Sequence, residues 1–135
     1  MKKRTILIVI SSCLLISVIS ILDMTFTIMT EGNMPTDDEI ASLSDKLIDD
    51  SMIILKKYPV GSFLINEEEW PESIKALSPL SLWVNSEGLY ILTKKRLVEG
   101  WGVFIPREDS EKYLEKTTMP SYNIIVKGIY EFYGD

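Results

Sequence analysis

The stretch that decides the fold is residues 80–93, LSLWVNSEGLYILT, in which two apolar runs flank a polar turn. Aliphatic and aromatic residues dominate Leu80–Asn85 and again Leu89–Thr93, as is typical of strands. Between these runs, Ser86, Glu87 and Gly88 have the composition of a hairpin turn. This pattern predicts two antiparallel strands joined by a tight connection.

Further strands are predicted on both sides of this hairpin, at Gly61–Ile65, Gly102–Ile105 and Tyr122–Tyr133. Gly128 interrupts the last run, which indicates a bulge or a bend. A short helix is predicted from Trp70 through Leu77 and a second one at Ser110–Lys116. Together these elements predict a mostly antiparallel sheet of four to five strands.

A long helix is predicted before the strands, over about residues 37–57. Thr36 and Glu39 have the spacing of a capping box, and Pro59 ends the helical pattern. The apolar positions keep to one broad face, made of Ile40, Leu43, Leu47, Met52, Ile54 and Leu55. The predicted fold class is therefore α+β, with an N-terminal transmembrane anchor followed by one long helix packed on the sheet.

The N-terminus carries the pattern of a signal anchor. Three cations at residues 2–4 precede an uncharged run of 18 residues, 5–22, which spans about 27 Å as a helix against a hydrocarbon thickness of about 30 Å. The positive-inside bias then predicts a single-pass protein of a bacterial inner membrane, with its C-terminal domain in the periplasm or outside the cell. The domain prediction is an anchor at 1–22, a tether at 23–35 and an extracytoplasmic α+β domain at 36–135.

Two other fates of this N-terminal segment remain open. Val18 and Ser20 provide a weak match to a signal-peptidase site, although Ile21 and Leu22 continue the apolar run beyond it. The sequence ending at Cys13, the only cysteine, is similar over four residues to the lipobox of bacterial lipoproteins, which would imply lipidation of that thiol.

Charge narrows the class of partner. Eleven of the 14 cations and all 20 acids lie at or after Asp23, so the chain beyond the apolar run carries a net charge of −9. Nucleic acids bind to cationic faces, so this balance argues against a nucleic-acid partner. It is compatible with a basic protein partner or with a solvated surface.

The residue inventory argues against an enzyme. The chain contains no histidine, which removes serine–histidine and cysteine–histidine catalysis together with the common zinc sites. No phosphate-binding loop or calcium loop is present in the sequence, so neither a cofactor nor a metal is expected. Carboxylates alone can hydrolyse glycosides, but the consecutive acids in this chain are more typical of a solvated loop.

The candidate binding residues are therefore acidic and aromatic. Strand alternation turns Trp83 away from the face that holds Leu82 and Val84, and exposed aromatic residues often mark interfaces. The remaining candidates are Glu67, Glu68, Glu69 and Trp70. The predicted function is a membrane-tethered protein-binding domain, and its leading form is an immunity or inhibitor protein against a toxin or hydrolase. The alternative is a structural or assembly subunit of a bacterial envelope or secretion complex.

Overall fold

The computed structural model describes residues 30–107 and 120–134. In this part of the chain the strands are β1 (Thr30–Gly32), β2 (Phe63–Leu64), β3 (Ser81–Val84), β4 (Gly88–Arg96), β5 (Glu99–Pro106), β6 (Ser121–Val126) and β7 (Ile129–Gly134). The helices are α1 (Asp37–Ser42), α2 (Ser44–Lys57) and α3 (Glu72–Lys75), with a 3₁₀ helix at Glu67–Glu69.

The strands form one sheet in the order β2-β3-β4-β5-β7-β6, and β1 pairs with β4 outside this path. Every neighbouring pair along the path is antiparallel. The long strands β4 and β5 lie at the centre and pair with each other. On the outer sides, β4 also pairs with β3, and β5 also pairs with β7. Consecutive strands are joined by tight turns at β3–β4, β4–β5 and β6–β7, as expected for antiparallel pairs.

The hairpin predicted from residues 80–93 is present as β3 and β4. Its turn is fixed by Asn85, whose Oδ1 accepts hydrogen bonds from the backbone N–H groups of Glu87 and Gly88 at 2.8 and 3.0 Å. Such an Asx turn reverses the chain without help from distant residues. The turn sets the register of the hairpin, which places Trp83 opposite Tyr90.

The prediction of one long helix over residues 37–57 is wrong. The predicted capping box at Thr36 and Glu39 is formed, but the helix breaks at Leu43, where φ is −103° and ψ is −1°. One residue earlier, the Ser42 hydroxyl donates a hydrogen bond to the carbonyl oxygen of Glu39 at 2.7 Å. Serine side chains compete in this way with the backbone ladder, and the chain starts again as α2.

The predicted fold class is also wrong, because the sheet has more strands than expected. The described chain is mostly an antiparallel sheet of seven strands with a few short helices, in place of a long helix on four to five strands. Gly128, with φ of +82°, is part of a tight turn that divides the predicted strand Tyr122–Tyr133 into β6 and β7. In addition, β1 lies within the stretch predicted to be a tether.

The main core lies between one face of the sheet and the helices. Leu82, Leu89, Ile91 and Val103 supply the sheet side of this core. The helical side is supplied by the buried residues Ile40, Leu47, Ile54, Leu55, Ile74 and Leu77. We call this the helix-covered face; its side chains are almost all aliphatic, and their burial is the main source of stability for a chain of this size.

The membrane predictions need a separate correction. Residues 1–22, Cys13 and the helix predicted at 110–116 lie outside the described residues. Within 30–107 and 120–134, no helix is long and apolar enough to cross a membrane. The prediction of a signal anchor in a single-pass inner-membrane protein with a periplasmic domain therefore has no support in the structure and is set aside.

Candidate functional site

The opposite face of the sheet carries a second, aromatic cluster. Because side chains alternate along a strand, the neighbours of the core residues in β3, β4 and β5 point to this other face. Tyr90, Phe104 and Phe132 are buried there, and Leu92, Tyr122 and Tyr130 pack against them. We call this the aromatic face.

One row of rings crosses five strands of this face. In register from β2 to β7, the row consists of Phe63, Trp83, Tyr90, Phe104 and Tyr130. The ring centroids of Trp83 and Tyr90 are 5.3 Å apart, and those of Tyr90 and Phe104 are 4.4 Å apart. Tilted ring pairs at these distances attract one another beyond their area burial, so the middle of the row is well packed.

The next positions along the same face are small. Gly102 lies opposite Leu92, and a Cβ at this glycine would lie 2.0 Å from the carbonyl oxygen of Ile91. Gly100 and Gly134 face each other one step further along β5 and β7. Gly100 and Gly134 line a groove beside the row of rings, and this groove has a volume of about 460 Å³. We call it the aromatic groove.

The groove has apolar walls and charged residues at its ends. Its lining includes Phe63, Trp83, Tyr90, Leu92, Val98 and Phe132. Glu87 lines one end, and Lys95 and Glu99 line the other, at the opposite end of β4. The volume and the mostly apolar lining fit the usual range for binding sites in proteins.

Glu87 belongs to a short hydrogen-bonded chain at one end of the groove. The Tyr90 hydroxyl donates to its Oε2 at 3.0 Å, and the hydroxyls of Tyr90 and Tyr122 are hydrogen-bonded to each other. Burial is the main cause that raises the pKa of both tyrosines, and the Glu87 carboxylate raises the pKa of each further. Both hydroxyls therefore stay protonated near neutral pH and act as donors.

The structure separates the residues predicted to bind. Trp83 lines the groove and is 42% exposed. Trp70 is only 4% exposed and packs in the core of the helix-covered face, so its ring is a core element. Glu67, Glu68 and Glu69 form the exposed 3₁₀ helix and are not part of the groove lining. The binding roles of Trp83 and of the acidic residues stay predictions.

Several groove residues escaped the sequence-based prediction. Phe63, Glu87 and Tyr90 were not among its candidates, because strand alternation alone does not say which residues lie side by side. The signal was nonetheless available at the hairpin. A turn centred on residues 85–88 pairs Val84 with Leu89, and this register then puts Tyr90 beside Trp83.

No family model, curated protein or solved structure matches this chain. Among the residues that the structure describes, no group of three or more histidine, cysteine, aspartate or glutamate side chains is placed to hold a metal ion. The function is therefore argued from the geometry of the aromatic groove.

Proposed function

We propose that this protein binds a basic protein partner through the aromatic groove, in the manner of an inhibitor or immunity protein that covers a surface of its target. The observation that carries the proposal is an open groove lined by rings on the face opposite the helices. Aromatic residues are enriched at the centres of protein interfaces, where they contribute most of the binding energy.

Exposed apolar side chains cluster at this groove. Phe63 is 59% exposed, Trp83 is 42% exposed and Val98 is 77% exposed, and all three line the groove. Single exposed apolar residues are ordinary, but several around one concave site are typical of a surface that a partner covers. This clustering supports a docking role for the aromatic face.

The charge of the chain supports a basic partner. The net charge is −6 for the full sequence, and the acidic 3₁₀ helix Glu67–Glu69 is exposed to solvent. Complementary charge speeds the encounter of two proteins, whereas buried aromatic contacts slow their separation. We therefore assign the acidic residues to association and the rings of the groove to the lifetime of the complex.

The test is affinity capture with paired variants of the full-length chain, from the organism that encodes it. A partner captured by the wild-type protein should be lost with the double variant Phe63→Ala, Trp83→Ala. It should be retained by Ile53→Ala, which removes an apolar side chain as exposed as Phe63, at 59%, from helix α2. Retention by the double variant, or equal loss with Ile53→Ala, would contradict the proposal.

A further inference from the structure

We propose that the aromatic groove receives an arginine side chain of the partner, with its guanidinium stacked on Trp83 and paired with Glu87. This inference rests on the proposed function and names the chemistry that the groove recognises. Two features of the groove support it: an open ring surface, and a carboxylate that forms no ion pair among the described residues.

The ring surface is open between β2 and β3. Phe63 and Trp83 are directly opposite in register, where Cβ atoms usually lie about 5 Å apart. Within the described residues Phe63 and Trp83 nevertheless form no stacked ring pair, and the Trp83 ring packs on Tyr90. Both rings keep much of their surface in solvent. A planar group from a partner can therefore lie against Trp83 without displacing another side chain.

The carboxylate is next to these rings. Glu87 is half-buried, and its Oε2 accepts the hydrogen bond from Tyr90. Its Oε1 accepts no hydrogen bond from the described part of the chain, and Glu87 forms no ion pair there. A partly desolvated carboxylate without a cation gains more from an incoming positive charge than a solvated surface carboxylate does.

Glu87 is the acceptor for a cation at its own end of the groove. At the opposite end of β4, Lys95 and Glu99 both line the groove, and their opposite charges offset each other. Arginine fits this arrangement better than lysine, because its guanidinium is planar, weakly hydrated and able to stack on a ring while it donates to a carboxylate. The acidic balance of the chain favours the approach of such a residue.

The experiment is an NMR titration of the full chain with two blocked tripeptides, Ac-Ala-Arg-Ala-amide and its citrulline counterpart. Citrulline keeps the shape of arginine and removes the charge. The arginine peptide should shift the amide signals of β3 and β4 and bind about three- to tenfold more tightly than the citrulline peptide. Glu87→Gln, which keeps an acceptor for Tyr90, should reduce this preference, and the part that remains reports the stacking on Trp83.

The matched control is Asp49→Asn, which removes one negative charge from the exposed side of α2. It should keep the preference for the arginine peptide. Equal affinities in the wild type, no binding of either peptide, or the same loss in Asp49→Asn would overturn the arginine assignment. If the captured partner depends on Phe63 and Trp83 but is unaffected by Glu87→Gln, only the arginine assignment fails and the docking surface stands.

Discussion

The two faces of this sheet are built from the same strands but are covered to different extents. Along β4, Leu89 and Ile91 enter the aliphatic core beneath the helices, whereas Tyr90 and Leu92 enter the aromatic face. On the helix-covered face nearly every side chain is enclosed by another element. On the aromatic face, the described rings cover one another at the centre and leave Phe63 and Trp83 open at the edge. The comparison shows that the helices close one face almost completely, whereas the other face is closed only at its centre, and the proposed binding surface is its open edge.

The largest expected effect tests whether the centre of the aromatic face is a true core. Phe104 is fully buried in the same row of rings as the exposed Phe63. Phe104→Ala should lower the free energy of unfolding by about 3–5 kcal/mol, whereas Phe63→Ala should change it by only about 0.5 kcal/mol. Urea denaturation of both variants measures the difference. Similar midpoints would mean that this face contributes little to stability at its centre.

The helix-covered face is tested in the same way. Leu47 is fully buried in the core, and Asp45, two residues earlier on α2, lies exposed on the opposite side of the helix. Leu47→Ala should cost about 2–5 kcal/mol because it leaves a cavity, and Asp45→Ala should cost little. The same denaturation assay applies. If the aspartate variant were as damaging as the leucine variant, the assignment of the buried helix face would be wrong.

The effect of Trp83→Ala should separate binding from stability. Once a partner has been captured, this variant should raise the dissociation rate by an amount equivalent to about 2 kcal/mol, because a buried aromatic anchor is lost. Its unfolding midpoint should change far less than that of Phe104→Ala, since Trp83 is partly exposed. Surface plasmon resonance gives the rate. An unchanged dissociation rate would remove Trp83 from the interface.

Alkaline pH should lower the free energy of unfolding through Tyr90 on the aromatic face. The pKa of Tyr90 is raised in the folded state, chiefly by burial, while the unfolded chain ionises this group near pH 10. The contribution of Tyr90 to the free energy of unfolding is therefore fully present below about pH 10. It is lost as the pH rises further, by at most about 1.4 kcal/mol per pH unit. Tyr90→Phe should flatten the fall in stability between about pH 10 and 11. An identical slope in the two proteins would contradict this account.

Local signals in the sequence predicted local structure well. The capping box at Thr36 and the hairpin around Asn85 depend on residues within a few positions of each other, and both are formed. The break at Leu43 was missed because the helical spacing of apolar residues continues across it, while the competing hydrogen bond comes from Ser42. The turn at Gly128 was read as an irregularity within one strand.

The candidate site was harder to predict, because it depends on contacts between strands. The exposure of Trp83 follows from alternation within one strand, and its binding role stays a prediction. The sequence also places Trp70 among the binding candidates, next to acidic neighbours, but its ring lies in the core. Glu87 becomes a candidate site residue only once the strand register is known. That register puts Tyr90 beside Trp83, and the Tyr90 hydroxyl donates a hydrogen bond to the Glu87 carboxylate. Such a site can be derived only after the pairing of strands is known.

The most direct test of the difference between the two faces is site-specific photo-cross-linking. A benzophenone amino acid is introduced in place of Phe63 in one variant and Ile53 in the other, two apolar residues that are each 59% exposed. Irradiation of the full-length variants in the organism that encodes the protein should give a discrete protein adduct from position 63 and none from position 53. The same adduct from both positions, or an adduct from position 53 alone, would contradict the assignment of the aromatic face as the binding surface.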